Sequence, residues 1–175
     1  MNVMETILTD IVGETLTFNQ PSLIKRQFEL VSSKNVLAKM VFPKLFSSRV
    51  VVEGFDGKWE FKSLSIWQRE FGIFKYGYQM PFAKYISNFW RTKGTLELPK
   101  GARLYCKSAK FKKPFEVFSS EGSLLLSYSN RFALMGRTSV TIEKRSELLD
   151  KYPWVILLGW YIIVQNRKGR ASAAG

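Results

Sequence analysis

Lys107, Lys110, Lys112 and Lys113 form the densest cluster of positive charge in the segment Lys75 to Phe115, and Arg103 stands just before them. Residues of this type at this spacing can hold an anion. Four of the five are lysines, whose compact, strongly hydrated ammonium groups suit diffuse attraction better than the bidentate grip of a guanidinium. Beside an anionic membrane each such charge contributes about 1 kcal/mol, so the run can support weak surface binding, with Phe111 and Pro114 adding a shallow apolar contact. The wider segment Lys75 to Phe115 holds ten basic residues and a single acid, Glu97, interleaved with Tyr76, Tyr78, Phe82, Tyr85, Phe89, Trp90 and Tyr105. Basic residues among aromatics are what single-strand nucleic-acid binders use, through phosphate contacts and base stacking. They are also what a half-buried sheet displays, with rings inward and lysines outward.

Other chemistry is short of residues. The chain has no histidine, which removes the usual general base near neutral pH and every Ser-His-Asp or Cys-His arrangement. Its one cysteine, Cys106, can form neither an intrachain disulfide nor a zinc cluster. It falls on the inward face of a predicted strand and reads as a small core residue. Asp56 is explained by a turn and Asp150 by a helix boundary. No phosphate-cradling glycine loop follows a strand. No enzyme activity, cofactor or metal site is expected.

The elements that must position these residues are mostly strands. Val36 to Met40 follows Phe28 to Val31 across Ser32-Ser33-Lys34-Asn35. Lys58 to Phe61 follows Arg49 to Glu53 across Gly54-Phe55-Asp56-Gly57, a strong hairpin signal. Leu96 and Leu98 alternate with polar neighbours, Pro99-Lys100-Gly101 turns the chain, and Ala102, Leu104 and Cys106 alternate again. Phe115 to Phe118, Leu124 to Tyr128 and Thr138 to Glu143 continue the series. Gly72 and Gly77, around Ile73-Phe74-Lys75-Tyr76, suggest a bend or a tight turn. Recurring turns suit a sandwich or a barrel, and nothing marks a domain boundary.

The run Trp154 to Val164 has no charge and no polar face. A helix apolar all round must be surrounded on every side. Eleven residues span roughly 16 Å, about half the hydrocarbon thickness of a bilayer, so a protein core is the expected surrounding. A buried strand is the competing reading, favoured by the β-branched residues; length favours the helix. Pro153 suits its first turn. A helix enclosed by one β-domain calls for a sheet closed around it.

In order and pattern, Gly94 to Gly101, Phe115 to Phe118, Leu124 to Leu126 and Pro153 to Val164, with its Gly159-Trp160-Tyr161, resemble the tubby C-terminal-like superfamily, in particular its LURP-one-related and scramblase-like branches. The resemblance covers roughly residues 15–165. It implies a mainly β fold: a closed antiparallel β-barrel of about 12 strands around a C-terminal hydrophobic helix. It also implies a link to phosphoinositides or membranes, with no ligand residue carried over.

The expected organisation is an N-terminal arm or short helix over 1–14, one barrel domain over 15–166 with its core helix near 153–165 (Trp154, Leu157, Leu158, Gly159, Trp160 and Tyr161 inward), and a flexible basic tail over 167–175. The expected function is a non-enzymatic binding module for anionic phospholipid headgroups, using Arg103, Lys107, Lys110, Lys112 and Lys113. Single-stranded nucleic acid is the alternative partner, and a structural or protein-interaction barrel without a small ligand is the third reading. The start of the chain lacks the basic and apolar features of a secretory signal. The expected location is cytoplasmic, peripheral to a membrane under the lipid reading.

Overall fold

The computed structural model describes residues 8–22, 24, 26–33, 35–44, 47–108, 114–132 and 137–173. Twelve strands run in order: β1 (Thr15–Ser22), β2 (Gln27–Val31), β3 (Val36–Val41), β4 (Val50–Gly54), β5 (Gly57–Ser63), β6 (Glu70–Lys75), β7 (Ala83–Ser87), β8 (Lys93–Glu97), β9 (Arg103–Lys107), β10 (Phe115–Phe118), β11 (Leu124–Phe132) and β12 (Arg137–Ile142). Helices α1 (Glu147–Lys151) and α2 (Val155–Ala173) follow. Each strand pairs antiparallel with its sequence neighbours, and β1 pairs with β12, so the sheet closes into a barrel. Closure leaves no unpaired strand edge.

Alternation places the core. In β9, Leu104 and Cys106 face inward while Arg103, Tyr105 and Lys107 face outward. In β12, Val140 and Ile142 face inward. The β4–β5 hairpin turns on Phe55 and Asp56, both with positive φ (51° and 58°), between the paired Gly54 and Gly57. That is the mirror-image turn whose twist matches the strands it joins. Of the two glycines read as a bend or tight turn, Gly77 (φ 84°) is at a turn, while Gly72 lies within strand β6 beside Ile73 and Phe74. Strand β7 also fell outside the expected series.

Helix α2 fills the barrel. Every residue from Trp154 to Ile163 is buried. Phe18, Phe28 and Phe42 surround Trp160 at ring-centroid distances of 4.8–5.9 Å, while Phe61 and Phe71 flank Tyr161 at 5.7 and 5.3 Å. The Tyr128 hydroxyl crosses from the wall to donate to the Ile156 carbonyl at 2.7 Å. It lies so close to the helix that a Cβ on Gly159 would come within 2.2 Å of it. That contact is why a glycine interrupts an otherwise bulky run.

Two boundaries differ from expectation. The helix begins at Val155, with Pro153 in the turn before it, and continues to Ala173. The segment 167–173, expected as a flexible tail, is therefore helical. Of the N-terminal segment, Leu8–Ile11 forms one 3-10 turn, with Leu8 and Ile11 in the core; residues 1–7 lie outside the described residues.

Because successive strands alternate in direction, the connections β1–β2, β3–β4, β5–β6, β7–β8, β9–β10 and β11–β12 share one end of the barrel. The chain runs from β12 through α1 into α2 at the other. The helix thus enters at one end and leaves at the end that carries those six connections.

Candidate functional site

Two connections at the exit end share one plan. In Ser65-Ile66-Trp67-Gln68 the Gln68 N–H donates to the Ser65 carbonyl at 3.1 Å, and in Asn88-Phe89-Trp90-Arg91 the Arg91 N–H donates to the Asn88 carbonyl at 3.0 Å. The fourth residue of each is left-handed, Gln68 at φ 51° and Arg91 at φ 54°. The first side chain of each then accepts from the residue after the turn: Arg69 N–H donates to Ser65 Oγ at 3.4 Å, and Thr92 N–H to Asn88 Oδ1 at 2.9 Å. Serine and asparagine are suited to this role because their short polar side chains bond nearby backbone. The two central positions of each turn are occupied by large apolar side chains standing in water: Ile66 is 89 % exposed, Trp67 67 %, Phe89 70 % and Trp90 77 %.

The turns are fastened side by side. Arg91 Nη2 donates to the Trp67 carbonyl at 3.0 Å. The Ser87 backbone N–H and hydroxyl both donate to the Arg69 carbonyl, at 2.8 and 3.2 Å. The Arg69 guanidinium lies 5.6 Å from the centre of the Phe89 ring, and Phe89 meets Trp90 edge to face at 5.1 Å. The outgoing helix braces the pair, because Gly169 brings its backbone against Arg91. The four apolar tips are therefore held out by a hydrogen-bonded scaffold.

Positive charge gathers around them. Arg26, Lys44 and Arg49 lie on the β1–β2 and β3–β4 sides of the exit end, Lys62, Arg69, Arg91, Lys93 and Lys107 beside the two turns, and Arg137, Arg167 and Lys168 across the mouth. Glu29, Glu60, Glu70 and Glu116 are the described acids at this end. Glu60 is taken up by Arg49 through a bidentate pair, at 2.8 and 2.9 Å, and that hydrogen bonding holds its carboxyl below the ordinary range. At the opposite end Asp10, Glu14, Glu53, Asp56, Glu97, Glu121, Glu143, Glu147 and Asp150 offset Lys58, Lys75, Lys84, Lys100, Arg103, Lys144, Arg145 and Lys151, and Lys39 lies mid-strand in β3. Among the described residues, the surplus of positive charge belongs to the exit end.

No family model, curated protein or solved structure matches this chain. Of the residues expected to bind an anion, Lys107 is at the exit end, its ammonium 4.8 Å from the centre of the Phe118 ring. Arg103 begins the same strand at the opposite end, 3.8 Å from Glu97, so the structure does not bring it together with Lys107. Lys110, Lys112 and Lys113 lie outside the described residues; the strand ends flanking them, Lys107 and Phe115, are at the exit end.

Cys106 is buried, and burial pushes its thiol well above its ordinary pKa, which keeps it protonated. Among the described residues, no three metal-ligating side chains converge and no helix is long and apolar enough to cross a membrane. The residues that the sequence reading missed are Ile66 and Trp67; Phe89 and Trp90 were noted only as part of a basic-aromatic stretch. One signal was available. Ser-Ile-Trp-Gln and Asn-Phe-Trp-Arg share a pattern of small polar, apolar, tryptophan and polar, which as a turn can only expose its two central residues.

Proposed function

We propose that this barrel is a non-enzymatic module that docks end-on to an anionic membrane surface, exit end first. The observation that carries the reading is the set of four apolar tips, Ile66, Trp67, Phe89 and Trp90, held in water on two braced turns within a ring of basic side chains. Tryptophan and phenylalanine favour the headgroup boundary of a bilayer, where an apolar ring can be buried beside polar groups. Removing a side chain of this size from water contributes about 1.5–3 kcal/mol. Each nearby cation adds about 1 kcal/mol against an anionic leaflet. The two contributions together suffice for reversible attachment without a spanning segment.

Single-stranded nucleic acid is less well served by the same surface. Stacking uses ring faces along a track. Here two of the most exposed apolar side chains at this end, Ile24 and Ile66, have no ring, and Phe89 and Trp90 turn edge to face against each other. Kinship with the tubby-like superfamily is part of the proposal. It is supported by the closed twelve-stranded barrel and its central helix.

Co-sedimentation with vesicles tests the reading. The protein should bind phosphatidylcholine vesicles containing phosphatidylserine at low salt, and release as salt rises. The double variant Trp67→Ser/Trp90→Ser should bind at least about tenfold more weakly, since losing even 1.4 kcal/mol has that effect. Undiminished binding by the double variant, or no binding to the anionic vesicles, overturns it. A single-stranded oligonucleotide bound more tightly than the vesicles would favour the alternative partner.

A further inference from the structure

Across the barrel from the two turns lies a cavity. Strands β12, β1 and β2 lie diametrically opposite β6 and β7 in the closed order. Between them and the outgoing part of α2 is a cavity of about 850 Å3, within the range of roughly 300–1,000 Å3 of sites that hold small molecules. Its apolar lining includes Phe28, Trp160 and Val164. Trp160, Val164, Arg167 and Lys168 recur at the spacing of one helix face, so α2 supplies both an apolar wall and two cations.

Arg137, the first residue of β12, adds a third cation, and Glu29 is the one acid of the lining. The cations are placed by their neighbours. Arg167 Nη2 donates to Asn130 Oδ1 at 2.6 Å, an oxygen that also accepts from the Thr138 hydroxyl at 3.2 Å. The Lys168 ammonium rests 4.4 Å from the centre of the Phe42 ring. Partial burial of both head groups lowers their pKa values, so neither charge is fully solvated by water.

We infer that this cavity is a seat for one lipid bearing a phosphate monoester, its phosphate among Arg137, Arg167 and Lys168 and the start of its acyl chain against Phe28, Trp160 and Val164. Three cations and one acid complement a dianion better than a singly charged or zwitterionic headgroup. Guanidinium groups match phosphate geometry in a way that suits recognition rather than diffuse attraction. The apolar lining excludes a bare phosphate ion as the best-fitting occupant. A lipid is supplied from the right direction, because the cavity lies at the end bearing the apolar tips; in this respect the inference rests on the membrane reading. It goes beyond that reading in assigning a stoichiometric site with a headgroup preference.

A soluble probe separates the two ideas. Octanoyl lysophosphatidic acid, kept below its micelle concentration, should bind one to one in calorimetry and change the tryptophan fluorescence of a Trp67→Phe/Trp90→Phe background, in which Trp59, Trp154 and Trp160 remain and Trp160 lines the cavity. Inorganic phosphate, octanoate and octanoyl lysophosphatidylcholine should each bind at least about tenfold more weakly, the loss expected when either the charge or the chain is missing. Val164→Trp, which fills the cavity and keeps every charge, should abolish probe binding while leaving attachment to phosphatidylserine vesicles in place. Arg167→Glu should abolish probe binding as well. Equal binding of all four probes, or full probe binding by Val164→Trp, overturns the seat even if vesicle attachment is observed. Probe binding without vesicle attachment would retain the seat and remove the docking proposal.

Discussion

Four tryptophans divide this protein into two regions. Trp154 and Trp160 are 1 % and 3 % exposed at the centre of the barrel, while Trp67 and Trp90 stand in water at its exit end. The interior pair is enclosed by rings: Phe61 and Phe82 around Trp154, and Phe18, Phe28 and Phe42 around Trp160. The rim pair is not enclosed, with only Phe89 edge to face against Trp90, and hydrogen bonds hold the turns beneath it. Scattered exposed apolar residues need no explanation, but a cluster held out on a rigid base marks a contact surface. The interior pair builds the core, and the rim pair belongs to the surface for which membrane docking is proposed.

Substitutions should separate the regions. Gly159→Arg should prevent folding altogether, because it drives a charge into the packed centre beside Tyr128; the absence of a cooperative thermal transition is the check. Trp160→Ala should cost about 3–5 kcal/mol in urea unfolding, as expected for emptying a large aromatic site. Gly159→Ala should cost about 1–3 kcal/mol by overpacking. Adding Tyr128→Phe should recover part of that loss, since the hydroxyl is the nearest obstacle.

Between the regions sits the Arg49–Glu60 pair. Arg49→Ala should cost about 1–2 kcal/mol at neutral pH, less than a fully buried pair because Arg49 is partly exposed. The lowered pKa of Glu60 fixes the sign of the pH effect. Its contribution is present above the unfolded carboxyl value, about 4.3, and is lost as pH falls through the lowered folded value. The stability gap between the wild-type protein and Arg49→Ala should accordingly narrow in urea titrations below about pH 4. The smallest effect belongs to the rim. Trp67→Ser/Trp90→Ser should shift unfolding by no more than about 0.5 kcal/mol; a larger loss would mean that the rim tryptophans support the fold after all.

What the sequence disclosed follows the same division. The strands β8, β9 and β12 alternate cleanly because one face meets the core and the other meets water, and the unbroken apolar run of α2 requires enclosure. Strand β6 hid because Phe71 to Phe74 are all buried: Phe74 on its outer side is covered by Lys62, 4.3 Å from the ring centre, so period-two patterning is absent. The polar composition of 167–173 resembles a fraying tail, but contacts with Arg91, Asn130 and Phe42 hold that stretch of α2. The sequence does not show at which end of the barrel each residue of the expected anion site lies. Arg103 and Lys107 are neighbours in the sequence, yet four residues of strand separate them by roughly 13 Å and put them at opposite ends. Conversely, the two tryptophan turns are far apart in sequence and meet only because β5 to β8 are consecutive around the barrel.

The central claim is that Trp67 and Trp90 enter the headgroup boundary of an anionic bilayer. Phosphatidylserine vesicles containing phospholipids brominated near the top of the acyl chain test it directly, since bromine quenches a nearby indole. Trp67→Phe/Trp90→Phe keeps the tips apolar and the vesicle attachment intact. The account predicts strong quenching and a blue shift for the wild-type protein, and the loss of both in that variant while it still co-sediments. Equal quenching in the two proteins, or none in a wild-type protein that is attached to the vesicles, would contradict it.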